Sequence, residues 1–185
     1  MATFQKERFI EECRAAVKAS DTQAAIRELV ASAVSEPAQV LRELGEPRLA
    51  GVDVLYRAED LTILNLKWGP QMVFKPHDHR IWAVIGIYGG REQNFFFRRS
   101  ATGLTQHGTK ELNAKDVTPL GATIIHSVTN PLDQITAAIH VYGGDFFATP
   151  RSEWDPATFK EQPYDVADTL RAFEESNQRL RRPAP

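Results

Sequence analysis

Two histidines separated by a single residue stand in the segment Pro76-His77-Asp78-His79. Residues two apart on a β-strand point to the same face of the sheet, so the rings of His77 and His79 project together. Such a pair can chelate a metal ion. A His-x-His pair can also lie exposed on a strand edge without any ligand, so the pair by itself leaves both interpretations open.

A third histidine, His126, follows the three β-branched residues Thr123-Ile124-Ile125. This pattern predicts a strand with buried neighbours, and a buried imidazole needs a polar partner or a metal ion. A single histidine in such a place is more often hydrogen-bonded within the core than bound to a metal. In combination with the His77–His79 pair, metal binding becomes the favoured interpretation.

The composition of the chain argues against several other classes of function. The 22 Lys and Arg residues against 24 Asp and Glu residues give a net charge of -2, without the dense cationic run that nucleic-acid binding usually needs. The single cysteine, Cys13, cannot form an internal disulfide. The N-terminus does not resemble a secretory signal, and no apolar run approaches the roughly 20 residues of a membrane span. We therefore expect a cytoplasmic protein that binds neither nucleic acid nor membranes.

The apolar residues near both ends of the chain follow a helical period. Residues 1–46 predict a helical N-terminal extension of three helices, with Asp21 as the N-cap of the second and Gly45 at the end of the third. Residues 165–181 predict a C-terminal helix. The residues that share the apolar face of this last helix are Val166, Leu170 and Phe173.

Between these helical regions, residues 50–150 predict a β-barrel. Short runs of β-branched and aromatic residues predict about eight strands, near 52–57, 61–68, 72–75, 81–88, 92–99, 105–112, 122–128 and 135–142. Without helices between them they cannot form a parallel sheet, which leaves a two-sheet jelly roll or a barrel. The length of 185 residues fits one domain over 1–185, with a disordered tail at Arg182–Pro185.

Two segments resemble the two sequence motifs of cupins. Lys75–Glu92 resembles the first motif, and Pro119–Asn130, with its Pro-x-Gly and His-x-x-x-Asn, resembles the second. With Trp68-Gly69-Pro70 and His140-Val141-Tyr142-Gly143, the chain is similar to the cysteine-dioxygenase-like branch, and most to the 3-mercaptopropionate dioxygenase type. The resemblance covers roughly 52–151 and implies an RmlC-like cupin jelly roll, a double-stranded β-helix.

The resemblance implies that Fe(II) is held by His77, His79 and His126. Cupins in general add a glutamate four or five residues after the second histidine, where this chain has Ala83 and Val84. The thiol dioxygenases also lack that glutamate, so its absence supports the narrower resemblance. Glu92 lies too far along the chain to replace it, and we expect it to be an exposed strand residue.

The reaction that the resemblance implies is oxidation of a small thiol carboxylate, 3-mercaptopropionate or a cysteine-like thiol, by O₂ to its sulfinate. His140 and Tyr142 would lie beside the iron as the catalytic pair, although Ala138 stands where the family has a serine. Arg151 would bind the substrate carboxylate, and Arg57 is a second candidate for that role.

Two other functions fit the same residues. One is a cupin metalloenzyme with a non-thiol substrate, for instance one that cleaves a diketone, because one fold hosts many reactions. The other is a cupin that binds a ligand without turnover, which the missing serine at Ala138 favours. The identity of the thiol, the physiological metal and the oligomeric state are not fixed by the sequence.

Overall fold

The computed structural model describes residues 3–101 and 103–181, and the tail expected at Arg182–Pro185 lies outside the described residues. The described residues form four helices: α1 (Lys6–Ala16), α2 (Thr22–Val34), α3 (Pro37–Leu44) and α4 (Val166–Arg181). Asp21 caps α2 by accepting a hydrogen bond from the Ala24 backbone N–H, as expected. Within the part of the chain that is described, no helix is long and apolar enough to span a membrane.

In the part of the chain that the structure describes, eleven antiparallel strands form two sheets. The first half of the chain contributes β1 (Gly51–Arg57), β2 (Thr62–Trp68), β3 (Val73–Asp78), β4 (Ala83–Gly89) and β5 (Arg91–Ser100). The second contributes β6 (Gly103–Asn113), β7 (Val117–Leu120), β8 (Ile125–Thr129), β9 (Thr136–Tyr142), β10 (Ser152–Trp154) and β11 (Glu161–Pro163). The strand order is β1-β2-β9-β4-β7 in one sheet and β11-β10-β3-β8-β5-β6 in the other. The expected mainly β jelly roll with N-terminal helices and a C-terminal helix is confirmed.

The expectation of eight strands was too low by three. The additional strands β7, β10 and β11 contain only three or four residues each, too few for an alternation of apolar and polar residues to be recognised. Strand β3 also extends further than expected, to Asp78. As a result, His77 lies within the β3–β8 ladder, directly opposite His126.

The five-stranded sheet is covered on both faces. One face looks into the barrel, where Leu64 of β2 and Ile85 of β4 join the core between the sheets. The other face packs against α2, whose Val30 and Val34 contact the outward-facing side chains of β4 and β9. Every residue of β9 is buried for this reason. The strand sequence is therefore a nearly continuous apolar run and does not alternate between apolar and polar residues.

A glycine allows α2 to approach β4 closely. A Cβ atom added to Gly86 would lie closer to Cγ1 of Val30 than real contacts allow, and 3.0 Å from Cγ1 of Val34. Both valines are β-branched and stiff, so they cannot turn away without moving the helix. The packing of α2 on the sheet therefore depends on the missing side chain at residue 86.

We expect Gly86→Ala to lower the free energy of unfolding by about 1–3 kcal/mol, because the added methyl group overpacks this contact. Urea denaturation followed by circular dichroism measures the change. Gly108→Ala is the matched control, since a Cβ atom on that strand glycine meets no atom within 4 Å. Equal losses in the two variants would contradict the packing explanation.

Candidate metal centre

Three histidines converge inside the barrel on the six-stranded sheet. His77 lies on β3, His79 follows the end of β3, and His126 lies on β8. Nε2 of His79 is 3.2 Å from Nε2 of His77 and 3.4 Å from Nε2 of His126. All three side chains are buried. The arrangement expected from the sequence is therefore present, with the three Nε2 atoms facing one another.

The other ring nitrogens show which atoms are free to bind a metal. Nδ1 of His77 lies 2.9 Å from the backbone carbonyl oxygen of Lys75, and Nδ1 of His126 lies 2.7 Å from Oδ1 of Asn94. Both oxygens are acceptors, so each Nδ1 carries the proton and each Nε2 carries a lone pair. Lone pairs that face one another at such distances repel unless a cation lies between them. The donor set thus fits a metal ion held by three imidazoles, as Fe, Zn, Cu and Ni can be.

Burial keeps these imidazoles neutral. Loss of hydration on burial lowers the pKa of His77 to about 4. The same cause lowers the pKa of His79 and of His126 well below the usual value, and the other histidines of the cluster lower each of them further. A neutral ring is the form that binds metal, so the barrel presents ligands that need no deprotonation at neutral pH.

The metal centre opens into a cavity of about 260 Å³ between the two sheets and α4. Most of its wall is apolar, and the residues include Leu64, Trp68, Phe74 and Phe173. Among the described residues that line it, Arg151 is the only one with a formal charge. A ligand in this cavity therefore meets the metal, one cation and an otherwise apolar surface.

His140 and Tyr142 lie in this cavity, as expected, on the inward face of β9. Nδ1 of His140 is 3.0 Å from the Tyr142 hydroxyl oxygen, and the Tyr142 ring stands perpendicular to that of His79 with centroids 5.2 Å apart. Burial raises the pKa of Tyr142 and lowers the pKa of His140 to about 3. The hydroxyl stays protonated and the imidazole stays neutral, so Tyr142 can donate a hydrogen bond beside the metal.

Arg151 also lies in the cavity, held by two aromatic rings. Its guanidinium carbon lies 4.0 Å from the centroid of Phe146 and 4.2 Å from that of Tyr164. One guanidinium nitrogen donates a hydrogen bond to the Phe146 carbonyl oxygen, whereas the buried Nε has no partner among the described residues. Each flanking ring lies 6.0 Å from a ligand histidine, Phe146 from His79 and Tyr164 from His77. A fixed cation with unused donors therefore stands beside the metal centre.

Arg57 is not brought to the site. Its guanidinium forms hydrogen bonds of 2.9–3.1 Å with the carboxylate of Asp145 and lies over the Phe147 ring. The side chain is about half exposed and does not line the cavity. Asp145 already occupies its bidentate face, so Arg57 has no donors directed at a ligand near the metal.

The expectation that Glu92 is exposed was wrong, because its side chain is fully buried. Its carboxyl oxygens accept hydrogen bonds from Nε1 of Trp68, at 2.9 Å, and from Nδ2 of Asn94, at 2.8 Å. Burial raises the pKa of Glu92. Nε2 of His140, which has no hydrogen-bond partner among the described residues, lies 3.9 Å from the carboxyl group.

Sequence reasoning also missed Asn94 and Tyr164. A signal existed for Asn94: Glu92, Asn94 and Phe96 alternate on β5, and Phe96 stacks on His126. Recognition of Phe96 as an inward residue would have placed Glu92 and Asn94 on the same face. No comparable signal marks Tyr164, which lies in the connection between β11 and α4.

Comparison with known proteins gives similarity of fold only. No family model matches the chain. Among solved structures, an RmlC-like cupin of Methanocaldococcus jannaschii with a double-stranded β-helix fold is 10% identical over 55% of this chain and 86% of that chain, with a TM-score of 0.47. A variant of Bacillus subtilis oxalate decarboxylase is 14% identical over 49% of this chain, with a TM-score of 0.41, and this chain spans only 23% of that enzyme. A Streptococcus pyogenes protein of unknown function is 14% identical over 54% of this chain and 77% of that chain, with a TM-score of 0.43.

The lowered pKa values of the buried histidines predict a pH-dependent stability for the metal-free protein. In the unfolded chain each histidine takes up a proton near pH 6.5, whereas His77 in the folded protein does so near pH 4. Between these values the unfolded chain binds more protons, so the free energy of unfolding decreases as the pH falls. We expect a loss that approaches about 1.4 kcal/mol per pH unit for each buried histidine below pH 6.5 and is smaller above it, measured by urea denaturation from pH 7 to pH 5.

Two comparisons control this experiment. His140→Gln removes one of the four buried histidines and should reduce the slope. A bound divalent metal should raise the free energy of unfolding by about the same amount at pH 7 and at pH 5 and leave the loss unchanged, because the folded histidines bind almost no protons in this range with or without metal. A free energy of unfolding that does not change from pH 7 to pH 5 in the metal-free protein would contradict the argument.

Glu92→Ala is expected to weaken metal binding although Glu92 does not touch the metal. Loss of the carboxyl group leaves the Trp68 and Asn94 donors buried without an acceptor, at a cost of about 2–5 kcal/mol in the free energy of unfolding. Asn94 then no longer fixes Nδ1 of His126, and the affinity for divalent metal should fall by about 10–100-fold. Calorimetric titration of the folded protein with a divalent metal measures the change in affinity, and urea denaturation measures the change in the free energy of unfolding. Glu111→Ala, a half-exposed glutamate on β6, is the control that should leave both quantities unchanged.

Proposed function

We propose that this chain is a mononuclear non-haem Fe(II) thiol dioxygenase that oxidises a small thiol carboxylate to its sulfinate. The observation that carries the proposal is that one cavity brings together the three-histidine centre, the Tyr142 hydroxyl and a single cationic side chain, Arg151. The resemblance of the two histidine motifs to the 3-mercaptopropionate dioxygenase type supports the same reaction.

The proposed reaction converts R–SH and O₂ into R–SO₂H. Two sulfur–oxygen bonds form and the bond of dioxygen breaks, and the four electrons that sulfur loses are those that dioxygen gains. No further reductant is needed. Iron held by His77, His79 and His126 would supply the place where the thiolate and dioxygen meet. Three neutral imidazoles leave the charge of the ion uncompensated, which favours the thiolate over the thiol.

Arg151 provides the carboxylate site in this proposal. Its guanidinium is held in one plane by Phe146 and Tyr164, and part of its donor set is unused. A planar guanidinium binds a carboxylate through two parallel hydrogen bonds, which orients the ligand as well as attracting it. The two flanking rings lie beside ligand histidines, so a short acid held by Arg151 extends its other end toward the metal centre.

Tyr142 and His140 provide a directed hydroxyl group. The tautomer of His140 that carries its proton on Nδ1 would donate a hydrogen bond to the Tyr142 oxygen, 3.0 Å away, and leave the hydroxyl proton for a ligand in the cavity. The raised pKa of Tyr142 keeps that proton on the oxygen. The surrounding walls are mostly apolar and offer the hydroxyl few competing partners, so it is an available donor to a bound ligand.

A second candidate is a cupin metalloenzyme that acts on a substrate without a thiol, such as a diketone. The predominantly apolar wall of the cavity favours it, because a diketone needs few polar contacts. Ala138 on β9, which stands where the resembled dioxygenases have a serine near the histidine, favours instead a cupin that binds a ligand without turnover.

Oxygen uptake by anaerobically Fe(II)-loaded protein separates these candidates. We expect uptake with 3-mercaptopropionate or cysteine, no uptake with 2,4-pentanedione, and none with the His126→Ala variant, which loses a ligand. Mass spectrometry should show a product heavier by two oxygen atoms. Uptake with the diketone alone would replace thiol oxidation by the second candidate, and metal binding without any uptake would favour a ligand-binding role.

Arg151→Gln should raise KM for 3-mercaptopropionate by about 10–100-fold, because a charge-assisted pair of hydrogen bonds to the carboxylate is lost. Cysteamine, which has no carboxylate, serves as the internal control and should lose no affinity. Arg57→Gln is the matched arginine variant outside the cavity and should leave KM unchanged. An equal effect of the two substitutions would argue against Arg151 as the carboxylate site.

A further inference from the structure

The exposed apolar side chains of this protein are concentrated at the mouth of the metal cavity. Among the described residues, eight large apolar side chains are exposed, and five of them line this one cavity. The five, which are between 39% and 62% exposed, are Val52, Val54, Phe147, Val166 and Leu170. Isolated apolar residues are ordinary on protein surfaces, but a cluster around an opening is typical of a binding site.

The cluster comes from three separate parts of the fold. Val52 and Val54 lie on β1, Phe147 lies in the loop after β9, and Val166 and Leu170 lie on α4. The same cavity is also lined by the buried apolar side chains Leu66, Val128 and Phe173 and by the histidines. The exposed apolar side chains and the metal centre therefore share one cavity.

The polar groups are gathered at the inner end of the cavity. Tyr142 and Tyr164 lie beside the ligand histidines, and Arg151 stands between Phe146 and Tyr164. His140, which is also polar, lies beside Tyr142, and the indole N–H of Trp68 donates to Glu92. Thr169 donates its hydroxyl proton to the Tyr164 oxygen. The cavity is thus divided into a cationic, metal-binding end and an apolar outer part.

The cavity is also larger than a small thiol acid requires. An engineered apolar cavity of about 150 Å³ binds benzene, which has as many non-hydrogen atoms as 3-mercaptopropionate. The cavity here measures about 260 Å³. A short acid bound to Arg151 and the metal centre would leave the outer part to water against apolar walls, which is unfavourable.

We propose that the outer part of the cavity, formed by Val52, Val54, Phe147, Val166 and Leu170, binds an apolar substituent of the substrate. The ligand class is then an amphipathic carboxylate, with the acid on Arg151 and an alkyl or aryl group directed outward between β1 and α4. The position of the ligand carboxylate in this proposal rests on the proposed function, in which Arg151 binds that carboxylate. The apolar subsite itself rests on the lining of the cavity.

Binding of unreactive acids tests the subsite without requiring any oxidation. Protein loaded with Zn(II), which has no redox chemistry, is titrated calorimetrically with propanoate, butanoate, hexanoate and 3-phenylpropanoate. Burial of each additional methylene group should raise the affinity about three- to fourfold. Hexylamine, which has the same chain without the acid, should bind at least tenfold more weakly than hexanoate. An affinity that does not depend on chain length would overturn the proposal.

Substitutions of the exposed apolar residues at the cavity opening test whether these residues cause the dependence of affinity on chain length. Leu170→Gln and Val54→Thr change exposed side chains, and each should lower the affinity for hexanoate at least threefold while leaving propanoate unchanged. The matched controls are Leu180→Gln on the same helix and Val73→Thr on β3, both exposed and outside this cavity. Unchanged hexanoate binding in both mouth variants would overturn the proposal.

Light scattering distinguishes the apolar subsite from an interface between copies of the chain. Turnover of thiol acids separates the test of the subsite from the test of thiol oxidation. If Leu170→Gln instead lowers the molecular mass measured by light scattering and leaves the chain-length dependence intact, the patch is such an interface and the proposal fails. Thiol acids with apolar substituents are then tested with Fe(II)-loaded protein. Tight binding of hexanoate without turnover of any thiol would contradict thiol oxidation while leaving the apolar subsite supported.

Discussion

The structure depends on the need to keep three buried imidazoles neutral with their Nε2 atoms facing one another. Desolvation supplies the neutrality, but it also makes a buried polar atom without a hydrogen-bond partner costly. Nδ1 of His126 needs an acceptor and finds Asn94, and the amide of Asn94 needs an acceptor and finds Glu92. The second oxygen of Glu92 accepts from Trp68. This series of hydrogen bonds ends at Trp68, because an indole has only one polar atom and needs no further partner.

The scaffold meets this need by using both sheets and both faces of one of them. The antiparallel ladder between β3 and β8 sets His77 opposite His126, which no local feature of either strand could do alone. Strand β9 sends His140 and Tyr142 into the cavity, while its alternate residues Ile139 and Val141 pack outward beneath α2. Because α2 covers its outer face, β9 is buried on both faces, and its inner face presents His140 and Tyr142 to the cavity.

How much could be predicted from sequence depended on how far away the deciding partner lies. The His-x-His pair and the strand around His126 were evident because residue spacing fixes them. Glu92 was misjudged because the residue that makes its burial tolerable, Trp68, lies 24 positions earlier. Arg57 was considered for the site because Asp145, 88 positions away, leaves no trace in its neighbourhood. The same limit applies to the C-terminal helix. Its apolar face was predicted from the sequence, but of the three residues on that face only Phe173 is buried.

The electrostatic balance of the cavity constrains what can bind there. The described lining residues contribute one positive charge from Arg151 and no negative charge, and Arg151 forms no ion pair with any described acidic residue. Glu92 lies behind the wall, where burial raises its pKa and favours the neutral acid. A divalent ion on three neutral imidazoles adds two positive charges, so the filled site is strongly cationic in a medium of low dielectric. Compensation must come from the ligand. A carboxylate on Arg151 and a thiolate beside the histidines would provide two negative charges at the two places where the protein provides none, whereas a neutral ligand would leave the charge unbalanced.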